Sequence, residues 1–198
     1  MHPALSAAVF GIVFVGELPD KTAVAALVLG SRYRALPVLL GVAAAFLVHV
    51  VVAVAAGGLV AQLPRRPVEA VTGLLFLGGA VLLLRSDPDE ALDEGEQNAR
   101  DARPARTPAQ VVVACFLVVL VAEFGDLTEI LTATLAARYR DPVSVGVGAL
   151  LALWSVAALA VTFGRVLLRV VPLRRVQQVA AVVLLALAVV TLVGAVGG

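Results

Sequence analysis

Long apolar blocks separated by short polar segments dominate the pattern of this chain. Most blocks have about 20 residues or more, the length that an α-helix needs to cross a hydrocarbon core about 30 Å thick. They fall at roughly 4–30, 36–62, 68–84, 109–137, 143–170 and 176–196. The pattern predicts an all-α, polytopic membrane protein with six transmembrane helices.

One polar stretch is much longer than the others and divides the chain. Residues 86–107 are rich in Asp, Glu, Arg and Pro and poor in apolar side chains. This composition is typical of solvated segments and is common in disordered ones. We therefore expect a cytosolic polar linker over 86–107, between a first unit at 1–85 and a second at 108–198.

The two units contain similar sequences. VGELPDKTAVAALVLGSRYR in the first resembles VAEFGDLTEILTATLAARYR in the second. At one constant offset, Glu17, Asp20, Thr22, Arg32, Tyr33 and Arg34 match Glu123, Asp126, Thr128, Arg138, Tyr139 and Arg140. Each unit then holds three spans. Because three is odd, the second unit would insert upside down, which predicts two inverted three-helix repeats of the kind found in secondary transporters.

Composition narrows the function further. The chain is 61% hydrophobic and 15% charged, well outside the range of about 45–50% apolar residues in soluble domains. Its net charge of +1, with no basic run interleaved with aromatics, argues against a nucleic-acid partner. Cys115 is the only cysteine, which excludes an internal disulfide. No Ser/His or His-rich catalytic set is evident, so we expect a protein that is not an enzyme.

The distribution of arginines predicts the orientation. The loops after the first, third and fifth spans carry more arginines than the loops on the opposite side. Since cytoplasmic loops are enriched in basic residues, we expect a multi-pass protein of the cell membrane with both termini outside.

Charged residues interrupt the first and fourth apolar blocks: Glu17, Asp20 and Lys21 in one, and Glu123, Asp126 and Glu129 in the other. At the centre of a membrane helix each charge costs at least about 2.5–3.5 kcal/mol, so such residues usually have a function. The acids within each block are three residues apart and share one helical face. The two faces are expected to converge on one site.

These side chains favour binding of a hard cation. Carboxylates, with the hydroxyls of Thr22 and Thr128, are oxygen ligands suited to Ca²⁺, Mn²⁺ or Mg²⁺, and the scarcity of His and Cys argues against Zn²⁺ and Cu. Crowded carboxylates in a low-dielectric site also bind protons in competition with the cation. This competition is the physical basis of an antiporter.

Four nearby residues allow two interpretations each. Lys21 is either a fixed counter-ion or a charge that moves during transport. Glu129 either adds a ligand or proton carrier or lies nearer solvent. His49 either lines the pathway or, as we favour, packs among valines. Gly125, like Pro19 in the first motif, either breaks its helix and frees carbonyls for an ion or merely kinks it.

The two motifs, six spans and acidic central segment resemble the GDT family of cation/proton exchangers. That family repeats Glu-x-Gly-Asp-Lys/Arg-Thr/Ser, and the resemblance implies exchange of Mn²⁺ or Ca²⁺ for protons. By position the first motif comprises Glu17, Asp20, Lys21 and Thr22, and the second comprises Glu123, Gly125, Asp126 and Thr128. In the first motif Pro19 stands where the family has glycine. In the second, Leu127 replaces the expected basic residue and Glu129 stands where the family often has glutamine, which makes this motif more negative than usual.

The sequence therefore predicts a secondary transporter that exports a divalent cation, Mn²⁺ before Ca²⁺, in exchange for protons. The expected metal ligands are Glu17, Asp20, Glu123 and Asp126. The cation is a substrate, no resident cofactor is expected, and the partners are the ion, protons and the lipid bilayer. The alternative is a proton-coupled exporter of small organic solutes or amino acids, with Lys21 binding a carboxylate.

Overall fold

A computed structural model describes residues 2–17, 21–85, 87–101, 105, 107–170 and 173–197, apart from some of their side chains. Over these residues the chain forms α-helices and no strand. The helices are α1 (Pro3–Glu17), α2 (Lys21–Arg32), α3 (Ala35–Val60), α4 (Arg65–Arg85), α5 (Pro88–Asp101), α6 (Pro108–Ala122), α7 (Leu127–Tyr139), α8 (Pro142–Val170) and α9 (Leu173–Gly197).

Four helices are individually long and apolar enough to cross a bilayer. The qualifying segments are Ala35–Val60, Arg66–Arg85, Pro142–Phe163 and Gln177–Val196. Large apolar side chains on them face outward, among them Val51, Leu74, Leu151 and Val193. Such a surface suits lipid rather than water. The prediction of an all-α membrane protein with several spans is thus confirmed.

The predicted span 109–137 is divided into two helices. α6 and α7 together are apolar enough to cross the membrane, but they are bent by 72° at the break between them, which gives a fifth candidate span. Gly125 lies in this break with φ +78°, a left-handed conformation that L side chains rarely adopt. The helix is therefore broken at Gly125, and the freeing of carbonyls for an ion stays a prediction.

The predicted span 4–30 is also divided, into α1 and α2. The residues between them, Leu18, Pro19 and Asp20, lie outside the described part of the chain. Whether α1 and α2 form one broken span, and hence whether there are six spans, stays a prediction.

Local signals set the helix ends around the second broken span. Thr107 accepts a hydrogen bond from the backbone of Gln110, and the Gln110 side chain accepts one from the backbone of Thr107, which together form a capping box. Pro108 occupies the first turn, where its missing N–H costs nothing. α7 ends at Tyr139, because the next residue, Arg140, has a left-handed backbone conformation with φ 52°.

Equivalent helices of the two halves make equivalent contacts with the opposite half. α6 packs on α3, and α1 packs on α8. A Cβ at Gly41 of α3 would collide with the carbonyl oxygen of Val112, and a Cβ at Gly148 of α8 would collide with that of Ser6. Ser6 and Val112 differ by 106 residues, the same offset that relates the two acidic motifs. The helices thus approach each other closely at Gly41 and at Gly148, which is one position beyond the match of Gly41 at this offset.

Two further long helices, α4 and α9, pack along each other, and α4 also packs on α7. The guanidinium Nη1 of Arg138, in the last turn of α7, donates to Oγ1 of Thr191 in α9. Thr191 is buried, so this contact fastens the second half of the broken span to the outer pair.

The predicted polar linker contains a helix, α5. α5 packs on α2 with Gly95 and Ala99 buried, and Nη1 of Arg32 donates to the carbonyl oxygen of Ala99 at 3.2 Å. Over Pro88–Asp101 the segment is helical, and side chains such as Asp93, Glu94 and Gln97 are exposed. The cytosolic polar linker over 86–107 stays a prediction. Residues four apart share one helical face, so two small residues in a polar segment are enough to form a packing stripe.

Candidate functional site

A glutamate lies at the end of the first half of each divided span. Glu17 is the last residue of α1, and Glu123 follows the last residue of α6 as its C-terminal cap. Both side chains are buried, with 0% and 4% of their surface exposed. A buried carboxylate needs polar partners, because desolvation without them costs several kcal/mol or more.

The glutamates find these partners in the opposite half. Oγ1 of Thr128 donates to Oε2 of Glu17 at 2.9 Å, and Oγ1 of Thr22 donates to Oε1 of Glu123. The threonine of each motif therefore binds the glutamate of the other. Four residues that the sequence assigned to a single site, Glu17, Thr22, Glu123 and Thr128, are brought together by these crossed hydrogen bonds.

Residues of the second motif also make local contacts at the break between α6 and α7. Asp126 occupies the N-cap position of α7, where the helix dipole favours a negative charge. The backbone N–H of Gly125 donates to Oε2 of Glu129 at 2.7 Å. Glu129 is thereby bound to the break itself and turned back towards the motif, not directed away from it.

A small cavity of about 20 Å³ lies beside the Glu123 carboxylate. Its polar lining comes from His49, Glu123, Thr128, Glu129 and Thr132, and the rest of its wall is apolar. This space suffices for about one water molecule. His49, for which we favoured a packing role, thus lines the same cavity as three acidic-motif residues.

Thr132 is a lining residue that the sequence analysis missed. Its side chain is buried and donates to the carbonyl oxygen of Thr128 at 2.8 Å. A possible signal was its position one helical turn after Thr128, on the same face of α7. The first repeat offers no match for comparison, since Ala26 holds the equivalent position.

Part of the predicted site lies outside the described residues. Asp20 and Pro19 are not described, and neither is the side chain of Lys21. Within the described chain, no three His, Cys, Asp or Glu side chains lie close enough together to hold a metal ion. Of the four predicted metal ligands, the structure therefore describes Glu17, Glu123 and Asp126. Each of the two glutamates accepts a hydrogen bond from the threonine of the other motif.

Comparison with known proteins identifies the family. The family model described as divalent cation/proton antiporter GDT1 matches residues 5–91 and 111–198, which is most of the chain on both sides of the linker. The chain belongs to the GDT1 family. The resemblance drawn from the two motifs is confirmed, and so is the prediction of a membrane transporter that is not an enzyme.

Three named proteins are similar in sequence to most of this chain. A Vibrio cholerae protein named "Putative manganese exporter" is 30% identical over 90% of this chain and 86% of its own length. A GDT1-like protein of Synechocystis is 30% identical over 78% of this chain and 80% of its own length. The chloroplastic protein PAM71 of Arabidopsis thaliana is 28% identical over 93% of this chain, which spans about half of that relative (55%). No solved structure gives a significant match.

Proposed function

We propose that the chain is a six-span, inverted-repeat antiporter of the cell membrane, with both termini outside. It exports a divalent cation, Mn²⁺ before Ca²⁺, in exchange for protons. Membership of a cation/proton antiporter family and similarity to a relative named for manganese export support this proposal.

The observation that carries the proposal is the crossed pair of hydrogen bonds from Thr128 to Glu17 and from Thr22 to Glu123. Each bond joins one half of the chain to the other at a buried carboxylate. A movement of one half against the other must therefore alter both carboxylates together. Such coupling is what alternating access through paired repeats requires.

In this scheme Glu17, Asp20, Glu123 and Asp126 bind the cation and carry the protons, while Thr22 and Thr128 orient the glutamates. Protons from the outer face occupy the carboxylates of the empty site, and the site then opens inward. Cation binding from the cytosol releases these protons inward, because both compete for the same oxygens. Proton entry thus drives cation export.

The size of the cavity supports an ion as the substrate. Its volume of about 20 Å³ accommodates a water molecule or a dehydrated metal ion, but no amino acid. An exporter of organic solutes would have to open a much larger space at the same residues.

The test is cation flux into proteoliposomes with an imposed pH gradient, measured for Mn²⁺, Ca²⁺ and Mg²⁺. We expect flux for at least one cation in the wild type and its loss in Glu17→Gln, Asp20→Asn, Glu123→Gln and Asp126→Asn. Glu96→Gln is the matched control, because Glu96 is an exposed carboxylate of α5 whose side chain pairs with Arg100 one turn away.

Two results would contradict the proposal. Equal flux in the wild type and in the four site variants would show that the acidic motifs are structural. Absence of flux for every cation, together with gradient-driven export of labelled amino acids, would establish the organic-solute alternative.

A further inference from the structure

The imidazole of His49 in the cavity wall has one ring nitrogen beside a carboxylate and the other without a partner among the described residues. His49 is 5% exposed, and its Nδ1 lies 3.6 Å from Oε2 of Glu129. Its Nε2 is buried and has no hydrogen-bond partner among the described residues. A buried polar atom without a partner is uncommon and calls for an explanation.

Glu129 is the acidic neighbour of the imidazole on its Nδ1 side. The same Oε2 that faces Nδ1 accepts the 2.7 Å hydrogen bond from the backbone N–H of Gly125. A carboxylate beside Nδ1 favours the tautomer that carries its proton there, which leaves the lone pair on Nε2. Metal-binding histidines usually have this support: one ring nitrogen faces a carboxylate and the other faces the ion.

The pair of His49 and Glu129 joins the two halves, and the repeat offers no matching pair. At the repeat offset of 106 residues, Ser155 corresponds to His49 and Ala23 corresponds to Glu129. Oγ of Ser155 instead donates to the carbonyl oxygen of Leu151 within its own helix. The acids and threonines of the motifs are duplicated at this offset, whereas His49 and Glu129 are not. His49 is thus an additional residue beside the duplicated motif residues.

We propose that Nε2 of His49 is a ligand of the transported cation and makes the site prefer divalent transition metals over Ca²⁺ and Mg²⁺. Glu129 is then a positioning residue for this ligand. The inference rests on the proposed function, since it assumes a cation between the halves. Imidazole nitrogen binds first-row transition metals better than alkaline-earth ions, which prefer oxygen. The oxygen donors beside it are Glu123 and Thr128.

The nitrogen ligand can be observed directly. The chain has two histidines, His2 and His49. Purified protein with ¹⁵N-labelled histidine is loaded with Mn²⁺, and pulsed electron paramagnetic resonance detects ¹⁵N coupled to the bound ion. We expect a ¹⁵N coupling in the wild type and an unchanged coupling in His2→Ala. These two spectra alone assign the ligand, even if a His49 variant fails to fold.

Variants then measure the contribution to selectivity. In His49→Gln we expect the coupling to disappear and the dissociation constant to rise on the order of tenfold for Mn²⁺, more for Co²⁺ and least for Ca²⁺. Glu129→Gln should weaken Mn²⁺ binding about 10-fold to 100-fold and alter the ¹⁵N coupling, because the imidazole loses its orienting carboxylate. A purely structural role of Glu129 would leave the coupling of the bound ion unchanged.

The outcomes separate this inference from the proposed function. Bound and transported Mn²⁺ without ¹⁵N coupling would overturn the inference and leave the antiporter intact. A coupling lost in His2→Ala but kept in His49→Gln would also overturn it. Protein that neither binds nor transports any divalent cation would overturn the proposed function itself.

Discussion

Thr128 and Glu17 are 111 residues apart in the sequence, yet Oγ1 of the threonine lies 2.9 Å from Oε2 of the glutamate. The equivalent contact runs the other way, from Thr22 to Glu123. A hydrogen bond to a charged group contributes about 1.5–3 kcal/mol. These two bonds therefore connect the halves of the chain where the candidate cation site lies.

Removal of either threonine hydroxyl should weaken cation binding. In Thr128→Val and Thr22→Val the partner glutamate loses a donor that fixes its carboxylate. We expect dissociation constants for Mn²⁺ to rise about 10-fold to 150-fold, in line with the loss of one such bond. Calorimetric titration of the purified protein measures this change. Serine at either position keeps the hydroxyl and should stay within about threefold of the wild type, and equal effects of valine and serine would contradict the prediction.

Gly125 should tolerate few replacements although there is space beside it. No atom of the described residues lies within 4 Å of a Cβ built at this position, so its φ of +78° is the constraint. Gly125→Ala should cost about 1–2 kcal/mol in the free energy of unfolding and lower transport, because the N–H that binds Glu129 shifts. Gly125→Asn should be milder, since Asn enters the left-handed region more readily. Thermal unfolding and flux assays of both variants test this order.

Gly41 should not accept even one methyl group. A Cβ there collides with the carbonyl oxygen of Val112, so Gly41→Ala must push α6 away from α3. We expect a loss of about 1–3 kcal/mol in unfolding free energy. Gly58→Ala in the same helix is the control, because in the described part of the chain no atom lies within 4 Å of a Cβ built there. Similar midpoints of heat denaturation in detergent for the two variants would show that the approach of the helices is not tight.

Asp141, in the loop between α7 and α8, should stabilise the protein in a pH-dependent way. Hydrogen bonds from the side chain and backbone of Ser144 lower the pKa of Asp141 below its ordinary value of 3.8. A lowered pKa in the folded state stabilises the protein above the unfolded pKa, and this contribution disappears as pH falls through the folded pKa. The melting temperatures of Asp141→Asn and wild type should therefore differ at pH 7 and converge below about pH 4. A difference independent of pH would contradict this assignment.

The packing of α5 on α2 should be sensitive to charge at one position. Ala99 is fully buried, so Ala99→Asp places a carboxylate in the contact and should release the helix. We expect tryptic cleavage after Arg100 to accelerate on the order of tenfold or more. Gln97→Asp adds the same charge on the exposed face and should leave the rate nearly unchanged. Equal rates in both variants would mean that the linker helix does not hold its place on α2.

The sequence by itself determined the class of protein, the positions of the long helices and the duplication of an acidic motif. Hydropathy and motif spacing are local properties, and lipid requires each span to satisfy its own backbone hydrogen bonds. For this reason the block at 36–62 predicted α3 almost to its ends. The same reasoning singled out Glu17 and Glu123, because an acid among apolar residues is visible without any structure.

Only the tertiary structure decided which partners these residues have. The crossed threonine bonds join positions more than 100 residues apart, and no periodicity relates them. Glu129 turns back to Gly125 because the chain breaks there, and His49 reaches the site because α3 packs on α7. The linker helix, too, gains its order from packing, since its isolated composition favours solvent. Contacts between distant helices depend on how their surfaces fit, which a local pattern does not contain.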